Sequence, residues 1–172
     1  MRTRLGLYYE DHGAGVPLVL VHGHTLDHRM WDEFVPTLAE RFRVLAIDLP
    51  GHGRSEPLKP GTTWSDHIAA LLDEVGAARA AVCGLSIGAA GAVSFTLHHP
   101  DRVSALVTVD AALFGYAFPT WPGPRPYVRI ARTEGLAPAL EAWLNDPLFA
   151  PAMASPAADR LRHIVREYPG TE

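Results

Sequence analysis

The chain has 172 residues, 48% hydrophobic and 20% charged, with a formal net charge of -4, a composition that can bury one core of moderate size. The acidic balance and the lack of any basic run exclude nucleic acid and an anionic membrane surface as expected partners. A single cysteine excludes an internal disulfide framework and gives no metal-ligand pattern, so no metal is expected. No stretch approaches the roughly 18 apolar residues of a membrane span. The N-terminus MRTRLGLYYEDHG lacks the apolar core of a signal peptide, so a cytoplasmic location is expected.

Taken in chain order, residues 5–10 predict a first strand, and His12-Gly13-Ala14-Gly15 turns it into the run PLVLV at 17–21. A continuous aliphatic run of this length is the pattern of a strand covered on both faces. It ends in His22-Gly23-His24-Thr25. Residues 27–42 place Met30, Trp31, Phe34, Val35 and Leu38 at helical spacing. A second buried strand is predicted at 42–47, followed by the turn-rich Asp48-Leu49-Pro50-Gly51-His52-Gly53-Arg54-Ser55. A helix is predicted over 62–75, with Trp64, Ile68, Leu71, Leu72 and Val75 on one face. Residues 80–83 form a third apolar run, Ala/Gly-rich helical sequence covers 89–97, and Pro100-Asp101-Arg102 leads into a strand at 103–109 that ends at Asp110.

Strands alternating with helices of this length predict an α/β fold with a mostly parallel sheet and helices on both faces, whose ligands bind at the carboxyl edge of the strands. His22, Asp48, Ser86 and Asp110 all fall at that edge. Beyond it the texture changes. Residues 118–126 are proline-dense and carry Trp121, and helices are predicted over 127–134, 137–144 and 158–168. The expected division is a core over 1–115 and a helical segment over 116–172.

Between the third run and its helix lies Gly84-Leu85-Ser86-Ile87-Gly88, a G-x-S-x-G elbow. Strand becomes helix within a few residues, and glycines two before and two after Ser86 remove side chains that would collide. The hydroxyl is thereby held out over a helix N-terminus, whose free N–H groups and positive dipole end favour a developing anion. The plainer reading of Ser86 is an N-cap in a tight turn. Cys83 beside the elbow reads as a small buried core residue, since nothing near it in sequence would lower its pKa.

The ordered motifs Val21-His22-Gly23-His24, Asp48-Leu49-Pro50-Gly51-His52-Gly53-Arg54-Ser55, Gly84-Leu85-Ser86-Ile87-Gly88 and His99-Pro100-Asp101-Arg102-Val103 resemble the α/β-hydrolase superfamily, most of all its compact esterase and lactonase-type members. The resemblance covers the chain to about Asp110. The remainder is similar to part of the family's helical cap. It implies that Ser86 attacks a small ester, lactone or thioester to form an acyl-enzyme. Family members that displace halide or open epoxides carry a carboxylate at this position. It implies the N–H groups of Ile87 and His24 as the oxyanion hole, and no cofactor. His22, His24 and His52 read as structural or pocket-lining. Trp121, Trp143, Leu148 and Phe149 would form an apolar, substrate-binding lid, or else ordinary cap core.

Asp110 lies 24 residues after Ser86, the position of the triad acid in some lipases and esterases of this fold; the alternative is a cap for a turn starting at Ala111. No base follows. His98 sits roughly 18 Å along the elbow helix from Ser86, as distant as its neighbour His99, and His163 lies on an amphipathic helix, whereas the family's histidine follows a final strand. The expectation is therefore a fragment lacking the last strands and the catalytic histidine, roughly 60 residues short. Its exposed apolar edge at Val103, Leu106, Val107 and Val109 would invite oligomerisation, and the chain alone would be nearly inactive. The reading from a different class is a non-catalytic binding or scaffold protein on the same fold.

Overall fold

Alternation along β1 (Tyr9–His12), β2 (Val16–Val21) and β3 (Phe42–Ile47) sends successive side chains to opposite faces of one sheet. Val19, Val21, Leu45 and Ile47 pack with Ile68, Leu71, Leu72 and Phe95 on one side, whereas Leu18, Leu20, Val44 and Ala46 pack with Trp31 and Val35 on the other. Both faces are apolar because both are covered. That is why β2 and β3 read as largely aliphatic runs, whereas β1, Tyr9–His12, does not.

The computed structural model describes residues 1–112, 115 and 123–171. Its sheet has five strands in the order β1-β3-β2-β4-β5, with β4 at Ala80–Leu85 and β5 at Val103–Val109. All neighbours are parallel except β1, which runs antiparallel to β3. Arg43 on β3 fixes that pairing through a 2.6 Å contact to Asp11 on β1. The first strand thus begins later than the predicted 5–10. Gly6, at φ +84, bends residues 3–7 into a turn closed by the Leu7 carbonyl accepting from the Thr3 N–H at 2.9 Å.

The expected helix over 27–42 is also corrected. A 3-10 turn at His28–Trp31 is followed by only one α-turn, α1 (Val35–Leu38). The Asp27 carboxylate caps the first piece through the Arg29 N–H, Asp48 takes the His28 N–H, and Pro36 stands at the start of α1. The side chains keep their helical spacing while the backbone is broken between them.

The remaining helices follow the sequence more closely. α2 (Trp64–Glu74) starts on a capping box between Thr63 and Asp66, and α3 (Ile87–His98) leaves directly from Ser86. After residues 113, 114 and 116–122, which lie outside the described set along with the expected 115/116 boundary, come α4 (Arg125–Glu134), α5 (Leu136–Leu144), α6 (Ala150–Met153) and α7 (Ala158–Arg166). Leu140, Trp143 and Leu144 of α5 form a separate apolar cluster with Ile164 and Val165 of α7, Tyr168, and Leu26 from the loop after β2. β5 is an edge strand whose Leu106, Val107 and Val109 are exposed, as expected, whereas Val103, also expected on that edge, is buried in the larger core because it starts the strand beside Ala80. No helix is long and apolar enough to cross a membrane among the described residues.

Phe95 of α3 is fully buried in the larger core. Replacing it with alanine should cost about 3–5 kcal/mol, measured as a fall in the urea midpoint at unchanged slope.

Candidate active site

β4 ends and α3 begins at Ser86, which holds φ 54 and ψ -116. A left-handed non-glycine residue costs of order 1–3 kcal/mol and persists only where its surroundings over-determine it. Here the Ser86 N–H donates to the Val109 carbonyl at 2.9 Å, and the Ser86 carbonyl accepts from Ala90 at 3.1 Å and Ala112 at 3.2 Å. The flanking glycines do what their positions suggested. A Cβ on Gly84 would strike the Gly88 carbonyl, and one on Gly88 would strike the His22 carbonyl. The Ser86 side chain makes no capping bond. The N-cap reading therefore does not describe it. Cys83 is half-buried, and burial raises its thiol pKa, which leaves it a packing residue.

The loop after β2 lies against the elbow because Gly88 lets the backbones touch. Its first residue, His22, is fully buried. Its Nε2 accepts the Leu49 N–H at 2.8 Å, so its Nδ1 carries the hydrogen and donates to the Gly23 carbonyl at 2.7 Å. Burial, then the neighbouring His52, lowers its pKa to about 4. His22 is thus a neutral structural tie between two loops. The Gly23 carbonyl also accepts the Leu26 N–H at 3.2 Å. In a trans peptide that carbonyl points opposite to the His24 N–H, so both bonds orient the N–H named above as an oxyanion donor. Thr25 follows at φ 60. Its hydroxyl donates to the His24 carbonyl at 2.6 Å and accepts from the Trp143 indole N–H at 2.8 Å.

Asp48, fully buried at the end of β3, organises the next loop. Its carboxylate accepts from the His28 N–H and faces His28 Nδ1, both at 2.7 Å, and accepts from the Arg54 N–H at 2.8 Å. Burial is the largest single influence and opposes the charge, but the hydrogen bonds from His28 and from the Arg54 N–H, with the charge of His28, together outweigh it and the Asp48 pKa is lowered. For His28, burial is likewise outweighed by Asp48, so its pKa is raised. Asp27, His28 and Asp48 bring ligand-type atoms within 4.8 Å of one another, yet the Asp27 oxygens are engaged by Arg29. The grouping is an ion-pair network. His52, also fully buried, packs against His22 and Tyr168 with ring centroids 5.1 Å apart in each case.

A cavity of about 260 Å³ lies between the loop after β2 and the C-terminal helices, lined by His24, Thr25, Tyr127, Leu140, Trp143 and Tyr168 among others. Trp143 stands in its wall. Phe149 packs edge-on against Trp143, centroids 5.0 Å apart, Leu148 is exposed, and Trp121 lies outside the described residues. Tyr127 hydrogen-bonds Asp146, and burial together with that bond pushes its pKa up to about 12. The helical pattern of α4 also carried a signal not used above. Arg125, Arg129 and Arg132, at helical spacing, line a groove continuous with the cavity at Val128 and Arg132. Among the described residues none of the three forms an ion pair.

Asp110, at φ 45, lies between Val109 and the chain that returns at Ala112, both bonded to the Ser86 backbone. The structure therefore brings Ser86, Asp110 and Ile87 to one sheet edge, beside His24. Among the described residues no side chain hydrogen-bonds the Ser86 hydroxyl. His98 is bonded to the Ser94 carbonyl at the far end of α3. His163 is 65% exposed on α7 and faces Glu167.

A five-stranded, mostly parallel sheet with a left-handed serine between β4, beside the central strand, and the following helix defines an α/β protein of the strand–elbow–helix type. The family model for the alpha/beta hydrolase fold matches residues 16–159, and the chain belongs to that family. A pimeloyl-[acyl-carrier protein] methyl ester esterase of Vibrio cholerae is 34% identical over 90% of this chain and 60% of its own length. One from Aeromonas hydrophila is 35% identical over 95% and 66%. Among solved structures, an enol-lactonase from Burkholderia xenovorans superposes with TM-score 0.77 at 27% identity, covering 96% of this chain and 66% of that one. A hydrolase from Pseudomonas aeruginosa gives 0.79 at 26% identity, covering 96% and 64%. The chain spans about 60% of the length of the first of these curated relatives.

His22 and His28 act on stability in opposite directions. His22, lowered from 6.5 to about 4, leaves the unfolded chain binding the extra proton, so stability should climb between pH 4 and 6.5, by about 3 kcal/mol from this group. His28, raised above 6.5, contributes fully below that pH and loses its contribution as pH rises through its folded pKa. Urea unfolding across pH 4–9 should therefore show a maximum near neutrality; a flat profile from 4 to 6.5 would contradict the His22 assignment.

Proposed function

We propose that the chain carries the nucleophilic half of a carboxylic-ester hydrolase that works through an acyl-enzyme on Ser86. The observation that carries this reading is the Ser86 backbone: a strained, left-handed elbow whose hydroxyl is engaged by no described residue and which sits at the N-terminus of α3. Ser86 Oγ adds to the ester carbonyl, its proton passes to a base and then to the departing alkoxide, and water cleaves the acyl-serine. The N–H groups of Ile87 and His24 receive the oxyanion, and Asp110 is assigned as the acid that orients the base. None of the described histidines is assigned as that base. Trp143 belongs to the wall that receives the acyl chain, in a helical cap formed by the C-terminal segment, with Phe149 supporting it from behind.

The substrate is proposed as an ester with an apolar acyl chain joined to an anionic carrier. The apolar cavity opens onto Arg125, Arg129 and Arg132, and several curated relatives are named for esters held on acyl-carrier protein. A small neutral ester would need only the cavity.

Incubation with p-nitrophenyl butyrate followed by intact-mass analysis should show a butyryl adduct on Ser86 that Ser86→Ala abolishes. Equal release of nitrophenol by both proteins, with no adduct, would favour the non-catalytic binding protein. Arg125→Glu with Arg129→Glu, both outside the cavity lining, should raise KM several-fold for an acyl-carrier-bound methyl ester, less so at high salt, and leave p-nitrophenyl butyrate unaffected.

A further inference from the structure

Two peptide units of the loop after β2 are held from opposite sides. The Gly23–His24 unit, whose N–H is the proposed oxyanion donor, is held from the core: His22 Nδ1 and the Leu26 N–H both donate to the Gly23 carbonyl, at 2.7 Å and 3.2 Å. The next unit, His24–Thr25, is held from the C-terminal helices. Its carbonyl accepts the Thr25 hydroxyl at 2.6 Å, and that hydroxyl accepts the Trp143 indole N–H at 2.8 Å. The two units meet at the His24 Cα, so a rotation in either one swings the His24 N–H.

Thr25 is an unusual residue for this position. It is β-branched, 97% inaccessible by virtue of its 3% exposure, and at φ 60, a conformation such residues adopt only when surroundings impose it. Its hydroxyl has one hydrogen to give and here also receives one, so its orientation is fixed at both ends. Trp143 is itself immobilised. It is buried on α5 between Tyr127 and Phe149, with ring centroids 5.0 Å away on each side, and its ring meets the His24 ring edge-on at 5.7 Å. A buried indole N–H needs an acceptor, and the one it finds here is the hydroxyl of a strained loop residue in contact with the His24 carbonyl.

We infer that Trp143 is a positioning residue for the oxyanion hole: its indole N–H, relayed by the Thr25 hydroxyl, holds His24 in the conformation that presents its N–H to the reacting carbonyl. Seating of the C-terminal helices and completion of the oxyanion hole are then one event, and a substrate that wedges α5 away from the loop loses transition-state stabilisation together with its binding wall. The inference rests on the assignment of Ser86 and His24 above.

The test separates the relay from packing. Trp143→Phe retains an aromatic ring but removes the N–H, Thr25→Val retains the branched shape but removes the hydroxyl, and Thr25→Ser retains the hydroxyl. A fluorophosphonate forms a tetrahedral adduct on serine whose phosphoryl oxygen needs the same donors. Labelling of Ser86 should slow about 10-fold in Trp143→Phe and in Thr25→Val, less than the roughly 10² to 10³ lost when an oxyanion donor is deleted. Thr25→Ser should stay within about twofold of wild type, and the double variant Trp143→Phe/Thr25→Val should be no slower than the slower single one, because both break the same relay. Amide hydrogen exchange at His24 should rise in both single variants while that at Ile87 stays unchanged, a readout independent of reactivity. Ser86-dependent labelling of the wild type combined with wild-type rates and His24 exchange in Trp143→Phe would overturn the relay alone. Wild-type labelling that survives Ser86→Ala would overturn the nucleophile assignment and the relay with it.

Discussion

The contact on which the rest depends is the approach of the α3 N-terminus to the end of β2, where Gly88 lies so close to the Val21 and His22 carbonyls that no side chain fits between them. Backbones can meet in this way only at glycine. The approach places the first turn of α3, with its unpaired N–H groups, beside the loop that carries Gly23, His24 and Thr25. Without it, Ser86 and the His24 N–H proposed as an oxyanion donor would belong to separate parts of the molecule. The strain at Ser86 is tolerated for the same reason: its backbone is bonded forward to α3 and sideways to Val109 and Ala112, so relaxing it would break three hydrogen bonds.

Around that contact the buried polar residues do mostly structural work. His22 is kept neutral by burial and ties β2 to the loop at Leu49. His28 and Asp48 form a buried, hydrogen-bonded charge pair that shapes the loop to Ser55. A buried pair of this kind adds little net stability but is costly to break from one side. Its effect is geometric: it fixes where the 48–55 loop runs, and His52 and Tyr168 pack upon the result.

The C-terminal helices contribute differently. They bring an apolar cluster, a cavity and several long-range polar contacts, among them the buried one from Trp143 to Thr25 across 118 residues of sequence. The arginine stripe of α4 runs from the cavity rim at Arg132 out to Arg125 and Arg129, where solvent keeps its charges inexpensive and a ligand's anionic portion would meet them. The apolar wall and the charged rim are therefore two parts of one surface, which meet at Val128 and Arg132.

Local chemistry determined the core elements and the elbow. β3 and β5 lie where their aliphatic runs predict, and α2 starts on its capping box, because strand burial and capping are read from neighbouring residues. The elbow was legible because its glycines, serine and flanking periods sit within 18 residues. The arginines of α4 were equally visible at their helical spacing, but spacing alone does not say that a groove lies beneath them. The sequence could not show that 27–42 is broken into a 3-10 turn and one α-turn, since the cause is Asp48, 20 residues further on, taking the His28 N–H. Nor could it distinguish Trp143, hydrogen-bonded to the loop, from Phe149, packed behind it, when both read as lid aromatics. Those assignments depend on which groups the fold brings within 3 Å of one another, and hydrogen bonds between distant segments leave no period in the sequence.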